Sequence, residues 1–290
     1  MNIVAPLLFV VLWSTGFIGA KLGLPYAEPF TFLLLRFAIA AVLLLALVAL
    51  SGAPWPHRPN LLVHSGVVGL LLHCVYLGGT FSAIHEGMAA GLASLIAGLQ
   101  PLVTAILGQA LLRERIAPLQ WLGLLLGLSG VVLVVGEPLI LVEAGHAPPT
   151  PLALAMVTTG LLGGTCGTLY QRRFGSGLPL LSGTASQFVA ASFAMLCLSL
   201  MFETRAVRWT PEFIFALGWL VVVLSLGAIL LLMALLRRNA AARVASLFYL
   251  VPPATALEAF VLFDERLGPL ALAGMLITAV GVALVLVTRR

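Results

Sequence analysis

The sequence predicts an all-α integral membrane protein of ten transmembrane helices, arranged as two inverted five-helix repeats. Three observations carry this. Of 290 residues, 61% are hydrophobic and 9% charged; apolar runs of spanning length recur along the chain; and the chain resembles itself at a shift of 151 residues. So few charges cannot build the water-facing surface of a globular protein. A bilayer core about 30 Å thick needs about 20 apolar residues in a helix rising 1.5 Å per residue.

In the first half such runs extend from Ile3 to Lys21, Pro29 to Leu50, Leu61 to Ser82, Ala89 to Leu112 and Leu119 to Val135. In the second half they extend from Leu152 to Tyr170, Leu178 to Phe202, Phe213 to Leu236, Ala240 to Phe263 and Leu270 to Val287. The chain therefore divides into a first repeat over 1–136, a linker over 137–151 rich in proline, and a second repeat over 152–290. Only Met1-Asn2 precedes the first run, without the positive segment of a signal peptide, so the run is expected to stay as a helix. Cys74, Cys166 and Cys197 all fall in apolar spans without metal-ligand spacing and read as packing residues, with neither metal nor cofactor expected.

The net charge of +5 does not indicate nucleic acid, because the basic residues are spread over short loops. With the N-terminus inside, ten of them fall on inner segments (Arg58, Arg113, Arg115, Arg172, Arg173, Arg237, Arg238, Arg243, Arg289, Arg290). Four fall outside (Lys21, Arg205, Arg208, Arg266), and Arg36 lies within the second span. The excess of inner Lys and Arg predicts that both termini are cytoplasmic.

The shift of 151 pairs Gly16 with Gly167, Phe37 with Phe188, Glu114 with Glu265, Arg115 with Arg266, Pro118 with Pro269, Gly123 with Gly274 and Gly130 with Gly281. In the fourth and ninth spans the shift is 152, bringing Ala93-Ser94-Leu95 onto Ala245-Ser246-Leu247 and Pro101 onto Pro253. Five crossings per unit force the second copy upside down relative to the first. Inverted repeats of this kind carry substrate near the midplane, at the interface between the copies.

The pattern Trp13-Ser14-Thr15-Gly16-Phe17, Leu35-Arg36-Phe37, Leu99-Gln100-Pro101-Leu102 and Glu114-Arg115, followed by Gly123 and Gly130, resembles the EamA-type branch of the drug/metabolite transporter superfamily. Ala245-Ser246-Leu247 through Pro252-Pro253 to Glu265-Arg266 is similar in the second copy. The resemblance covers nearly the whole chain. It implies a ten-helix fold with cytoplasmic termini in the bacterial inner membrane, and export of amino acids or related metabolites, in the manner of the YddG-like exporters of aromatic and other amino acids. The second copy departs from the first in carrying Gln187 where the first has Arg36.

Polar side chains at bilayer depth are costly unless they face a cavity or a partner. Trp13, His73, Gln100 and Tyr249 each lie about ten residues into a span, so four helices bring them to one level near the midplane. His73, Tyr76 and Thr80 share one face of the third span at i, i+3 and i+7, which suits either a pocket or interhelical hydrogen bonds. Trp13, His73, Tyr76, Gln100 and Tyr249 are the expected substrate-binding residues. Pro101 and Pro253 each remove a backbone amide and are expected to bend their helices as gates. Arg36, about a turn and a half below the outer end of its helix, has two destinations on sequence grounds, snorkelling to the surface or pairing with Glu258 as a structural or gating contact. Glu258 is nine residues from Tyr249, about 180° around a helix, so the two cannot face one cavity unless the double proline twists the helix between them.

No G-x-S-x-G, H-E-x-x-H or intramembrane aspartate pair is present, which argues against an enzyme. A drug or cation exporter and a lipid or head-group flippase remain the alternatives on this fold. The expected partners are a small-molecule substrate and the bilayer, with the chain acting as a monomer.

Overall fold

Helix after helix begins at a proline, the residue whose missing amide costs nothing in a first turn and whose fixed φ suits it. The computed structural model describes residues 4–56, 59–88, 93, 96–113, 115–141, 150–175, 177–238, 244–263 and 268–287. Within these, α1 spans Val4–Gly23, α2 Pro29–Ser51 and α3 Pro59–His85. Next come α4 (Gln100–Leu112), α5 (Pro118–Leu141), α6 (Pro151–Phe174), α7 (Leu180–Phe202), α8 (Pro211–Arg237), α9 (Val251–Phe263) and α10 (Pro269–Val287). Thr150 and Thr210 cap α6 and α8, accepting from the amides of Ala153 (3.1 Å) and Phe213 (3.3 Å). No strand occurs among the described residues beyond an isolated antiparallel bridge between Ala27 and Val207.

Five helices, α2, α3, α6, α7 and α8, are long and apolar enough to cross a membrane. Shorter apolar stretches lie at Val4–Ala20, Pro118–Leu133 and Leu272–Val287. The burial pattern reverses that of a water-soluble bundle. Phe193 is 68% and Leu276 71% exposed, whereas Gln100, Gln187 and His73 are at most 1% exposed. Polar side chains thus gather inside and large apolar ones face outward, the arrangement a lipid solvent selects.

Two spans carry a π-helical stretch, Leu70–Val75 within α3 and Leu220–Ala228 within α8. Such wide turns shift the side-chain register and are frequent at functional sites. The two prolines expected to bend their helices each follow an irregular turn. Pro101 sits in the first turn of α4, behind a turn at residues 98 and 99, and Pro253 sits in the first turn of α9, behind a 3₁₀ stretch over Ser246–Leu250. The long helix expected from Ala89 is therefore described as helix only from Gln100 onward, apart from scattered residues before it. Ser94-Leu95, Glu114, Asn239 to Arg243, Asp264 to Leu267, linker residues 142–149 and the terminal Arg289-Arg290 lie outside the described residues.

Because lipid is as apolar as leucine, close approach of backbones, not apolar burial, drives helices together in a membrane. Glycines permit it at the crossing of α5 and α10. A Cβ built on Gly130 would lie 2.6 Å from the Gly274 carbonyl, and one built on Gly281 would lie 2.6 Å from the Gly123 carbonyl. Alanine at either place would force the helices apart, at about 1–3 kcal/mol. These contacts are reciprocal under the shift of 151, since Gly130 and Gly123 correspond to Gly281 and Gly274. A similar exchange recurs elsewhere, with the facing leucines one position off the shift of 151. Gly16 on α1 faces Leu224 on α8, while Gly167 on α6 faces Leu72 on α3.

The α2 and α7 helices also correspond, and at one end they are clamped. Glu203, closing α7, accepts hydrogen bonds from the α2 amides of Phe30 and Thr31 (both 2.6 Å) and from the Thr31 hydroxyl (2.7 Å). Glu28, preceding α2, accepts from the amides of Thr204 (2.8 Å) and Arg205 (3.0 Å) and from the Thr204 hydroxyl (2.7 Å). Both carboxylates satisfy amides that have no partner within a helix, and Glu203 also suits the positive end of the α2 dipole.

Candidate functional site

The centre of the bundle is built from aromatic rings surrounding a few polar groups. Phe37 on α2 and Phe188 on α7, matched by the shift of 151, touch with ring centroids 5.7 Å apart. His73, in the wide turn of α3, stacks on Phe188 (4.4 Å, 19°) and tilts against Phe37 (5.7 Å). It is fully buried, and neither ring nitrogen has a hydrogen-bond partner. Gln187 lies beside it, with its own Oε1 unpartnered and its Nε2 donating to Gln171 Oε1 at 3.3 Å.

Arg36 turns inward. It is 4% exposed, so it does not snorkel to the surface, and its Nε donates to the Ser225 hydroxyl at 3.0 Å in the wide turn of α8. The guanidinium lies 5.8 Å from the Phe37 ring centroid and within electrostatic reach of Tyr76 and His73. Arg36 does not meet Glu258 either. Glu258 Oε1 instead accepts from the Ser14 hydroxyl of α1 at 2.5 Å, leaving Oε2 unpartnered. A leucine-rich helix can rotate to bury an arginine only when neighbouring helices offer it polar company, and here α3 and α8 do.

Around Arg36 the other expected residues converge in part. The side chains of Trp13 and Tyr76 approach each other, bringing α1 to α3. Tyr76 and Gln100 both close on Gly164 of α6, where a built Cβ would lie 3.2 Å from the Tyr76 ring and 3.1 Å from Gln100 Oε1. A larger residue at 164 would push both aside, so the glycine sets their spacing. Gln100 Nε2 also reaches the Thr168 hydroxyl at 3.5 Å. Trp13, Tyr76, Gln100 and His73 thus occupy one buried region shared by α1, α3, α4 and α6.

Tyr249 stands apart from this group. Its ring packs on Gly127 of α5, and its hydroxyl is buried without a partner. The neighbouring Phe248 is the residue that meets Trp13, at 5.2 Å and 85°, with Phe9 completing the triangle. One step along a 3₁₀ turn rotates a side chain by about 120°, enough to exchange one helix neighbour for another. Glu258 and Tyr249 do face different helices, α1 and α5.

Sequence reasoning also missed Phe37, Phe188, Ser225 and Gln171. Aromatic residues in a membrane span carry no periodic signal of an inner face, although the matched pair Phe37 and Phe188 was visible in the self-alignment. A shallow cleft lies at the end of α7 remote from the clamp, lined by Gln171, Leu178, Thr184, Gln187, Met233 and Arg237 among others. It places Gln187 between that cleft and His73.

Comparisons place this architecture. A solved crystal structure aligns over 97% of this chain and 96% of its own, with a TM-score of 0.79 at 21% identity, a likeness of fold. The inner membrane transporter YedA of Escherichia coli K12 is 26% identical over 83% of this chain and 76% of its own length. The transporter YvbV of Bacillus subtilis is 28% identical over 95% of this chain and 88% of its own. A probable amino-acid metabolite efflux pump of Escherichia coli K12 is 27% identical over 96% of this chain and 92% of its own. The profile of the EamA-like transporter family matches residues 2–136 and again 151–287. The buried polar centre, the membrane-length helices and this double match lead to one conclusion: the chain is a multi-pass membrane protein of the EamA-like transporter family, a family of transporters and not of enzymes.

Proposed function

We propose that the protein exports small metabolites, chiefly aromatic and other neutral amino acids, across the bacterial inner membrane by alternating access around the centre formed by Trp13, His73, Tyr76 and Gln100. The observation that carries this reading is the gathering of those side chains from α1, α3 and α4 within a bundle whose outer face is apolar. Aromatic faces and neutral hydrogen-bonding groups suit an apolar or aromatic side chain bearing a small polar head. The amino-acid metabolite efflux pumps among its relatives support the same substrate class. Tyr249 and Glu258 lie outside this centre, and Pro101 and Pro253, each following an irregular turn, serve as hinges.

Ten crossings with both termini cytoplasmic complete the proposal. The reciprocal contacts of Gly130 with Gly274, and of Gly281 with Gly123, support two copies related by a twofold axis, and the odd number of crossings per copy inverts one of them. One chain contains both copies, so the working unit is a monomer. Reporter fusions at Arg290 and within 137–151 test the orientation. A periplasmic C-terminus overturns it.

The function is tested by uptake into liposomes across a panel of amino acids, nucleosides, sugars, lipid head groups and cationic drugs, with and without a pH gradient. Saturable uptake of neutral or aromatic amino acids is expected. Gln100→Leu and His73→Leu should each reduce it about tenfold, the loss of about 1.4 kcal/mol of binding, with membrane abundance unchanged. Uptake of cationic drugs or lipid head groups in place of amino acids would favour the efflux or flippase reading. Normal transport by both variants would remove the site.

A further inference from the structure

Among the described residues, Arg36 is a cation inside the bundle without a counter-charge. A guanidinium stays protonated under any physiological condition, so burial does not neutralise it. It is 4% exposed, its one described hydrogen bond is to the neutral Ser225 hydroxyl, and the groups nearest it, Tyr76, His73 and Phe37, are uncharged or aromatic. Of the ten acids in the chain, Glu258 alone lies well inside a predicted span, and it is held by Ser14. The Nε bond to Ser225 uses one of five guanidinium protons and leaves the two terminal nitrogens, the fork that matches a carboxylate, without a described partner. Buried charges in proteins are paired, and in a transporter centre the missing partner is what is carried.

We propose that Arg36 is the anion-recognition residue of the central site, and that the transported molecule presents a carboxylate to its terminal nitrogens. The inference rests on the proposed function and narrows its substrate class to carboxylates. It also gives a role to the difference between the halves. The matched position holds Gln187, uncharged and bonded to Gln171, so the centre carries one cation and binds its substrate in one polarity. Tyr76, within electrostatic reach of Arg36, and Trp13 beside Tyr76 supply the aromatic wall for the remainder of the ligand.

The test uses four probes of one shape: 3-phenylpropionate and L-phenylalanine, which carry a carboxylate, and 3-phenylpropanamide and L-phenylalaninamide, which do not. Thermal stabilisation of the purified full chain reads their apparent Kd. The wild type is expected to bind each acid at least tenfold more tightly than its amide. Arg36→Gln, which copies the residue of the second half, is expected to reduce that preference below twofold. Arg36→Lys keeps the charge but not the fork, so it should weaken acids several-fold while leaving amides unchanged, and it serves if Arg36→Gln does not fold. Equal binding of acid and amide by the wild type, no stabilisation by any probe, or an undiminished preference in Arg36→Gln would overturn the proposal. Amino-acid uptake by wild-type liposomes reports separately on the proposed function. Uptake that persists unchanged in Arg36→Gln removes only the role of Arg36. Acid-selective binding without amino-acid uptake keeps Arg36 and removes the amino-acid substrate.

Discussion

The two ends of the α2 and α7 pair are built from corresponding residues yet closed very differently. At one end Glu203 and Glu28 cross over to cap each other's chain segments. At the other end the shift of 151 puts Gly52 in the place of Glu203 and Pro179 in the place of Glu28. Neither can accept a hydrogen bond through a side chain. The bonds described there are from the Ser182 hydroxyl to the Pro54 carbonyl (2.7 Å) and from the Ser65 hydroxyl to the Gly183 carbonyl (2.6 Å), and the cleft beside Gln187 opens at that same end. Two substituted positions in a repeated framework therefore decide which end is latched. In the orientation proposed above, with both termini cytoplasmic, the latched end is the outer one.

Removing the latch should have the largest effect. With Glu28→Ala and Glu203→Ala together, at least two charge-assisted hydrogen bonds are lost on each side, each worth at most about 1.5–3 kcal/mol net of water and less at the exposed Glu28. Ala27, 5% exposed, lies on the latched connection, so a cysteine placed there should label with an impermeant maleimide at least tenfold faster in the double variant. Unchanged labelling would mean that the carboxylates do not hold this end. Building a latch on the other end is the converse experiment. Gly52→Glu gives α2 the carboxylate that α7 has in Glu203, opposite the first-turn amides of Leu181 and Ser182, and should slow liposome transport several-fold, while the same change in the double variant slows it less. The smallest effect is expected from Thr31→Val, which deletes one hydroxyl bond to Glu203 and leaves both amide bonds. A loss of about 1 kcal/mol in stability and less than a twofold change in labelling should follow.

The membrane class and most helix starts were legible in the sequence, because apolar length and proline at the first turn are local signals. The self-alignment also gave the pairs that meet at the centre, Phe37 with Phe188, and the contrast of Arg36 with Gln187. Depth alone gathered Trp13, His73 and Gln100, since a helix converts residue number into height whatever its neighbours do. Azimuth was harder. Whether Arg36 faced lipid, Glu258 or the centre depended on Ser225, 189 residues away, and on wide turns in α3 and α8 that no proline or other local signal announces. The 3₁₀ turn before α9 likewise gave Trp13 to Phe248 and sent Tyr249 to Gly127. These are long-range packing outcomes, and the residues involved look alike in any apolar span.

The latch also constrains how the protein is made. The α2 amides of Phe30 and Thr31 wait for a carboxylate 173 and 172 residues further along the chain. At a synthesis rate of about 5–20 residues per second, that interval is on the order of ten seconds or longer. During it the first half sits in the bilayer with the start of α2 open to water, and it can close only after α7 has been inserted with Glu203 at the same surface. Correct delivery of α7 is thus rewarded by completion of a helix laid down much earlier, a topological proofreading step in which an α7 inserted the wrong way round would leave Phe30 and Thr31 without their acceptor.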